Sequence, residues 1–137
     1  MRVTGVDAFQ RGKAMRDHTK LKVFVEADDL TLAVYRTTSI FPKAEMFGLT
    51  SQIRRAAVSV CSNIVEGCAR RTEADYMRFM EIAFGSAREM EYQISLSSRL
   101  GYIPETEQAE LADRCNKISR MLGSLLSSFE RKPRADV

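Results

Sequence analysis

The sequence has one histidine, no tryptophan, three prolines, seven glycines and three cysteines in 137 residues. So little histidine thins the supply of general bases and metal ligands, and the one present, His18, stands near the N-terminus, outside the long periodic segments. Scarce proline and glycine leave those segments uninterrupted, which favours helices over the many short strands of an all-β domain. No run approaches the roughly 18–20 apolar residues of a membrane helix. An odd number of cysteines with no signal peptide ahead of them argues for free thiols in a reducing, cytoplasmic compartment. Charge is nearly balanced as well. The 21 Lys and Arg exceed the 18 Asp and Glu by only three, too little to mark a nucleic-acid binder by composition.

What is present suits one domain, since 45% of residues are hydrophobic in a chain long enough for a single core. Residues 1–20 hold five basic and two acidic residues, with Gly5 and Gly12 and no apolar period, and read as a basic, flexible leader. A first helix is expected from about Leu21 to Ile40, with Val23, Ala27, Leu30, Val34 and Phe41 in register and Pro42 enforcing the stop. A second begins near Leu49 and ends between Gly67 and Arg71, with Leu49, Ile53, Ala56, Ala57, Val60, Ile64 and Cys68 forming one stripe. Thr72-Glu73-Ala74-Asp75 matches a capping box, hydroxyl to amide and carboxylate back to the cap.

The third helix places Tyr76, Phe79, Met80, Ala83, Ala87, Met90 and Ile94 on one face and stops at Gly101, while Ile82, Leu96 and Leu100 form a second stripe that a bundle core does not need. Pro104 and Glu105 open the fourth, in which Leu111, Cys115, Ile118, Leu122, Leu125 and Phe129 alternate spacings of four and three. Short connections make neighbouring helices antiparallel, so residues 21–130 are expected to form an all-α, up-down-up-down four-helix bundle with a polar tail at 131–137.

The string from Gly48 to Ser59, the block Ser62-Asn63-Ile64-Val65-Glu66-Gly67 with Arg70, and Arg78-Phe79, Ile82-Ala83, Gly85-Ser86, Glu89 and Leu100-Gly101-Tyr102-Ile103 all point one way. With them, the chain resembles the bacterial four helix bundle proteins encoded in intervening sequences of 23S ribosomal RNA genes. That family is similar to the accessory protein of diversity-generating retroelements, a homopentamer that binds nucleic acid and reverse transcriptase. The resemblance implies a ring-forming homo-oligomer, with five copies as the expected number, and no assigned reaction. Where the family has Ser-Ile-Pro, this chain has Ser59-Val60-Cys61, and its Gly-Phe-Gly-Arg is Gly67-Cys68-Ala69-Arg70 here. Without that proline no kink is required near Cys61.

Two groups of residues are candidates for function. The outward face of the second helix gathers Arg55, Ser59, Ser62, Asn63, Glu66 and Arg70, which is either a solvated face or a hydrogen-bonding interface between helices or subunits. Gly85-Ser86 inside the third helix is either a tolerated defect or the close approach of another backbone, and with Glu89 it joins the interface candidates. Residues 42–71 carry five basic and two acidic residues, so Arg54, Arg55, Arg70 and Arg71 are candidate contacts to RNA or DNA phosphates, repeated around a ring; the alternative is that they are helix-end and solvated charges.

No catalytic site is expected. Cys61, Cys68 and Cys115 lack a Cys-x-x-Cys pair, Glu89 and Glu91 point away from each other on a helix, and no histidine in the folded part activates a nucleophile. The expected protein is therefore non-enzymatic, without metal or cofactor. Its expected partners are itself, RNA or DNA, and a reverse transcriptase or other protein; the alternative is a structural adaptor with no nucleic-acid role.

Overall fold

The structure, a computed structural model, describes residues 15–130. Four helices make up nearly all of it: α1, Lys22–Thr38; α2, Leu49–Cys68; α3, Glu73–Arg99; and α4, Glu105–Glu130. Their neighbours are α1–α2, α2–α3, α3–α4 and α4–α1, which closes a four-membered cycle. Side-chain pairs give the directions. Thr31 of α1 meets Ala57 and Cys61 of α2, and Arg54 meets Thr38. Between α2 and α3, Ser59 meets Ser86 and Gly67 lies against Met80; between α3 and α4, Tyr76 meets Phe129 and Phe84 lies against Gly123; Thr37 and Glu26 of α1 meet Glu107 and Lys117 of α4. In every pair of neighbours one number rises as the other falls, so the topology is up-down-up-down.

The apolar stripes seen in the sequence meet on the axis. Leu30, Ile53, Ile64, Met80, Met90, Ile94, Ile118 and Leu122 are almost completely buried, and Cys115 joins the α4 seam. α1 ends at Thr38, two residues before the expected stop: the Ser39 and Phe41 amides return in tight turns to Arg36 O and Thr38 O, and Pro42, which has no amide, follows. The α1–α2 link is fixed by one carboxylate. Glu45 accepts from the first amide of α2, Leu49 N, and from the Tyr102 hydroxyl across the bundle, and these two bonds hold its carboxyl below the usual range.

Thr72 caps α3 by accepting from the Asp75 amide, but the expected reciprocal half of the capping box is not formed. The Asp75 carboxylate turns outward to Arg78, three residues along the same face. At the far end of α3, Gly101 has a φ of +83°, and the amides of Gly101 and Tyr102 return to the carbonyls of Ser98 and Ser97. This is the Schellman stop, and the left-handed φ is why glycine is there.

Residues 15–21, placed in the flexible leader or at its edge by the sequence reading, form a docked strap as far as they are described. The amides of Met15 and Arg16 donate to the carbonyls of Arg70 and Cys68 and so satisfy the open end of α2, while the Arg16 guanidinium lies 3.7 Å from the centre of the Tyr76 ring. The rest of the expected leader, residues 1–14, and the tail, 131–137, lie outside the described residues.

Candidate functional site

With its apolar stripe turned inward, α2 presents Arg55, Ser59, Ser62, Asn63 and Glu66 outward. Small side chains let α2 and α3 approach there: the Ser59 and Ser86 hydroxyls are 2.8 Å apart, and Asn63 Nδ2 donates to Ser59 O and Ser59 Oγ. Toward the start of α2 the seam opens into a cleft of about 340 Å³ lined by Gln52, Arg55, Ala56, Ser59, Ser86 and Glu89. Arg55 and Glu89 are exposed, opposite in charge, and without an ion pair or side-chain hydrogen bond among the described residues.

Arg55, Ser59, Asn63, Ser86 and Glu89 are thus brought together as one polar group. Glu66 and Gly85 are not part of it. Glu66 is drawn to Arg70, one turn further along α2. Gly85 is exposed, and a Cβ placed on it would meet nothing within 4 Å, so among the described residues no backbone packs against it. The glycine that permits a close approach within the chain is Gly67, where a Cβ would come within 2.7 Å of Met80 Cε and 2.9 Å of Phe79 Cβ. A glycine in the last turn of a helix reads as a stop signal, which hid this packing role.

The four arginines do not form a single patch. Arg54 and Arg55 stand near the start of α2 and Arg70 and Arg71 just beyond its end, about 24 Å apart at 1.5 Å per residue. Arg54 is committed to structure: its Nε donates to Thr38 Oγ1 at 2.8 Å, an Nη donates to Tyr35 O, and the guanidinium lies 4.6 Å from the Tyr35 ring centre. Arg70 pairs with Glu66 and lies 4.8 Å from the Phe79 ring, which Arg78 approaches at 4.9 Å. Arg55 keeps its guanidinium open, and Arg71 is exposed.

A second groove, about 520 Å³, runs between α1, the α1–α2 link and the start of α2. Tyr35, Met46, Phe47 and Val58 form its apolar wall, and Phe47 is 93% exposed. Isolated apolar residues in a loop carry no period, which is why the sequence reading passed over Met46 and Phe47.

Burial raises the thiols of Cys68 and Cys115 to about 11 and about 12, and raises Cys61 as well, so all three are protonated at neutral pH. Cys61 Sγ sits 3.4 Å from Thr31 Oγ1, packed between α1 and α2. Among the described residues no group of three His, Cys, Asp or Glu side chains is arranged to hold a metal ion.

The family model of the 23S rRNA-intervening sequence protein matches residues 19–124. The chain belongs to that family. Its fold is similar to that in the crystal structure of a protein of unknown function from the S23 ribosomal protein family of Bacteroides thetaiotaomicron, with a TM-score of 0.69 and 23% identity over 76% of this chain and 97% of that one. No curated protein matches the chain. The stretch shared with the 23S rRNA-intervening sequence proteins includes the polar cleft, the apolar groove and all four arginines, whereas Arg16 of the strap and the residues after 124 lie outside it. Among the described residues, no helix is long and apolar enough to cross a membrane.

Proposed function

We propose that the protein is a non-catalytic homo-oligomeric scaffold, a closed ring of five copies, whose assembled surface binds RNA or DNA and provides a platform for a protein partner such as a reverse transcriptase. The observation that supports assembly is the α2–α3 cleft. Arg55 and Glu89 lie unpaired at its rim, the Ser59–Ser86 pair forms its floor, and the open flank of Gly85 and the exposed Ile82 lie beside it on α3. Unpaired charges of opposite sign beside small residues fit the edge of a second bundle, and a contact between unlike surfaces repeated by rotation closes into a ring.

Charge bears on the nucleic-acid part. The described residues hold 15 Lys and Arg against 16 Asp and Glu, so the positive excess of the chain resides in residues 1–14 and 131–137. Binding to phosphates by the bundle itself therefore depends on local arrangement and on repetition around a ring rather than on net charge.

Reversing one charge tests the assembly. Arg55→Glu and Glu89→Arg are each expected to reduce the molar mass in light scattering to that of one chain while the helical circular dichroism is kept. An unchanged mass for both variants contradicts this assignment of the contact. For nucleic acid, a labelled RNA is expected to bind with an affinity that falls steeply as salt rises. If the intact protein fails to bind RNA and DNA at low salt, the adaptor reading, with protein partners alone, replaces it.

A further inference from the structure

The groove between α1 and the start of α2 combines three features. Its wall is aromatic and open: Phe47 projects almost wholly into solvent and Tyr35 is 42% exposed. Its lining charges are positive: Arg54 and Arg55 line it and, among the described residues, no acidic side chain does, the Glu45 carboxylate being bound to the Leu49 amide beside it. Its base is the start of a 20-residue helix, where Thr50 and Ser51 line the groove. The Leu49 amide is taken by Glu45, and the first backbone return is Gln52 N to Gly48 O, so the amides of Thr50 and Ser51 are the orphan donors of this terminus. Thr50 is 8% exposed, and its buried hydroxyl has no partner.

We propose that this groove is a subsite for single-stranded RNA, with an unpaired base stacked on Phe47 and Tyr35 and the adjoining phosphate held at the start of α2 beside Arg54, whose bonds to Thr38 and Tyr35 go to neutral oxygens and leave its charge unanswered. This rests on the nucleic-acid reading above and assigns it a place and a class of ligand. Arg54 is also a positioning residue: its bonds to Thr38 Oγ1 and Tyr35 O and its stacking on the Tyr35 ring hold the aromatic wall in place. Exposed aromatic rings offer stacking surfaces, while arginine and orphan amides supply phosphate contacts that carry no base identity, so the site is expected to prefer accessible bases over any one sequence. Duplex RNA, with its bases enclosed, offers nothing to the rings. An apolar peptide would use the same wall but would leave the Arg54 charge and the orphan amides unanswered.

The test uses the full chain with a labelled oligouridylate and an abasic ribose-phosphate oligomer of equal length, with light scattering on each variant. Phe47→Ala removes a side chain that supports nothing in the bundle, so folding is not at issue. It is expected to weaken oligouridylate binding about tenfold, the loss of roughly one base stack, and to leave the abasic oligomer unaffected. Phe47→Trp is expected to restore the affinity. Equal affinity of Phe47→Ala and the native protein for oligouridylate overturns the subsite while leaving the broader nucleic-acid reading standing. A fall in molar mass in Phe47→Ala assigns the groove to a second copy and also overturns it. If the native protein binds neither oligomer nor duplex RNA or DNA at low salt, both readings fall together.

Discussion

Gly67 and Gly85 both lie inside helices, but only Gly67 has a neighbouring helix within a methyl group's reach. Gly67→Ala forces Met80 and the Phe79 Cβ aside and is expected to destabilise the fold by about 1–3 kcal/mol in chemical denaturation. Gly85→Ala meets open space within the chain and gains about 1 kcal/mol of helix propensity. If Gly85 lies against another subunit, the same change lowers the assembled mass in dilution experiments despite the better helix. Glu45 carries a prediction of a different kind. Its carboxyl is held low by the Leu49 amide and the Tyr102 hydroxyl, so its contribution is present above the ordinary value of 4.5 and is lost as pH falls through the lower folded value. The difference in melting temperature between Glu45→Ala and the native chain should be clear at pH 7 and should shrink by pH 3. A difference that stays constant with pH would remove Glu45 as the acid-sensitive tie.

At the scale of elements, the helices were legible because their apolar positions repeat at about 3.6 residues and because Pro42, Thr72, Gly101 and Pro104 punctuate them. What the period does not encode is how each end is satisfied. The strap at residues 15–16 caps α2 through its backbone, Asp75 turns away from its cap, and Arg54 ties the end of α1 to α2; none of these leaves a trace in a hydrophobic pattern. The candidate cleft was legible only in part. Arg55, Ser59, Asn63, Ser86 and Glu89 converge as the helical wheel suggests, whereas the separation of the arginines along α2 and the groove beside Phe47 required the packing. Two substitutions test this scale. Thr72→Ala removes the one side-chain cap of α3 and is expected to lower stability by about 1 kcal/mol. Arg54→Ala removes the bonds to Thr38 and Tyr35 and is expected to lower it by about 1–3 kcal/mol, with helical content kept.

For the molecule as a whole, the bundle core accounts for folding but not for what the surface retains: Leu32, Tyr35, Val58, Ile82 and Tyr92 are all more than a third exposed, and the cleft between α2 and α3 holds two unpaired charges of opposite sign. A domain of nearly neutral charge gains a strong local field only by repetition, so the proposed scaffold, its nucleic-acid binding and its partner platform share one dependence. The most direct measurement is molar mass by light scattering across a dilution series of the full chain. A closed ring predicts a constant mass near five times the 15.5 kDa of one chain until dissociation sets in at high dilution. A mass of 15.5 kDa at every concentration would contradict the account.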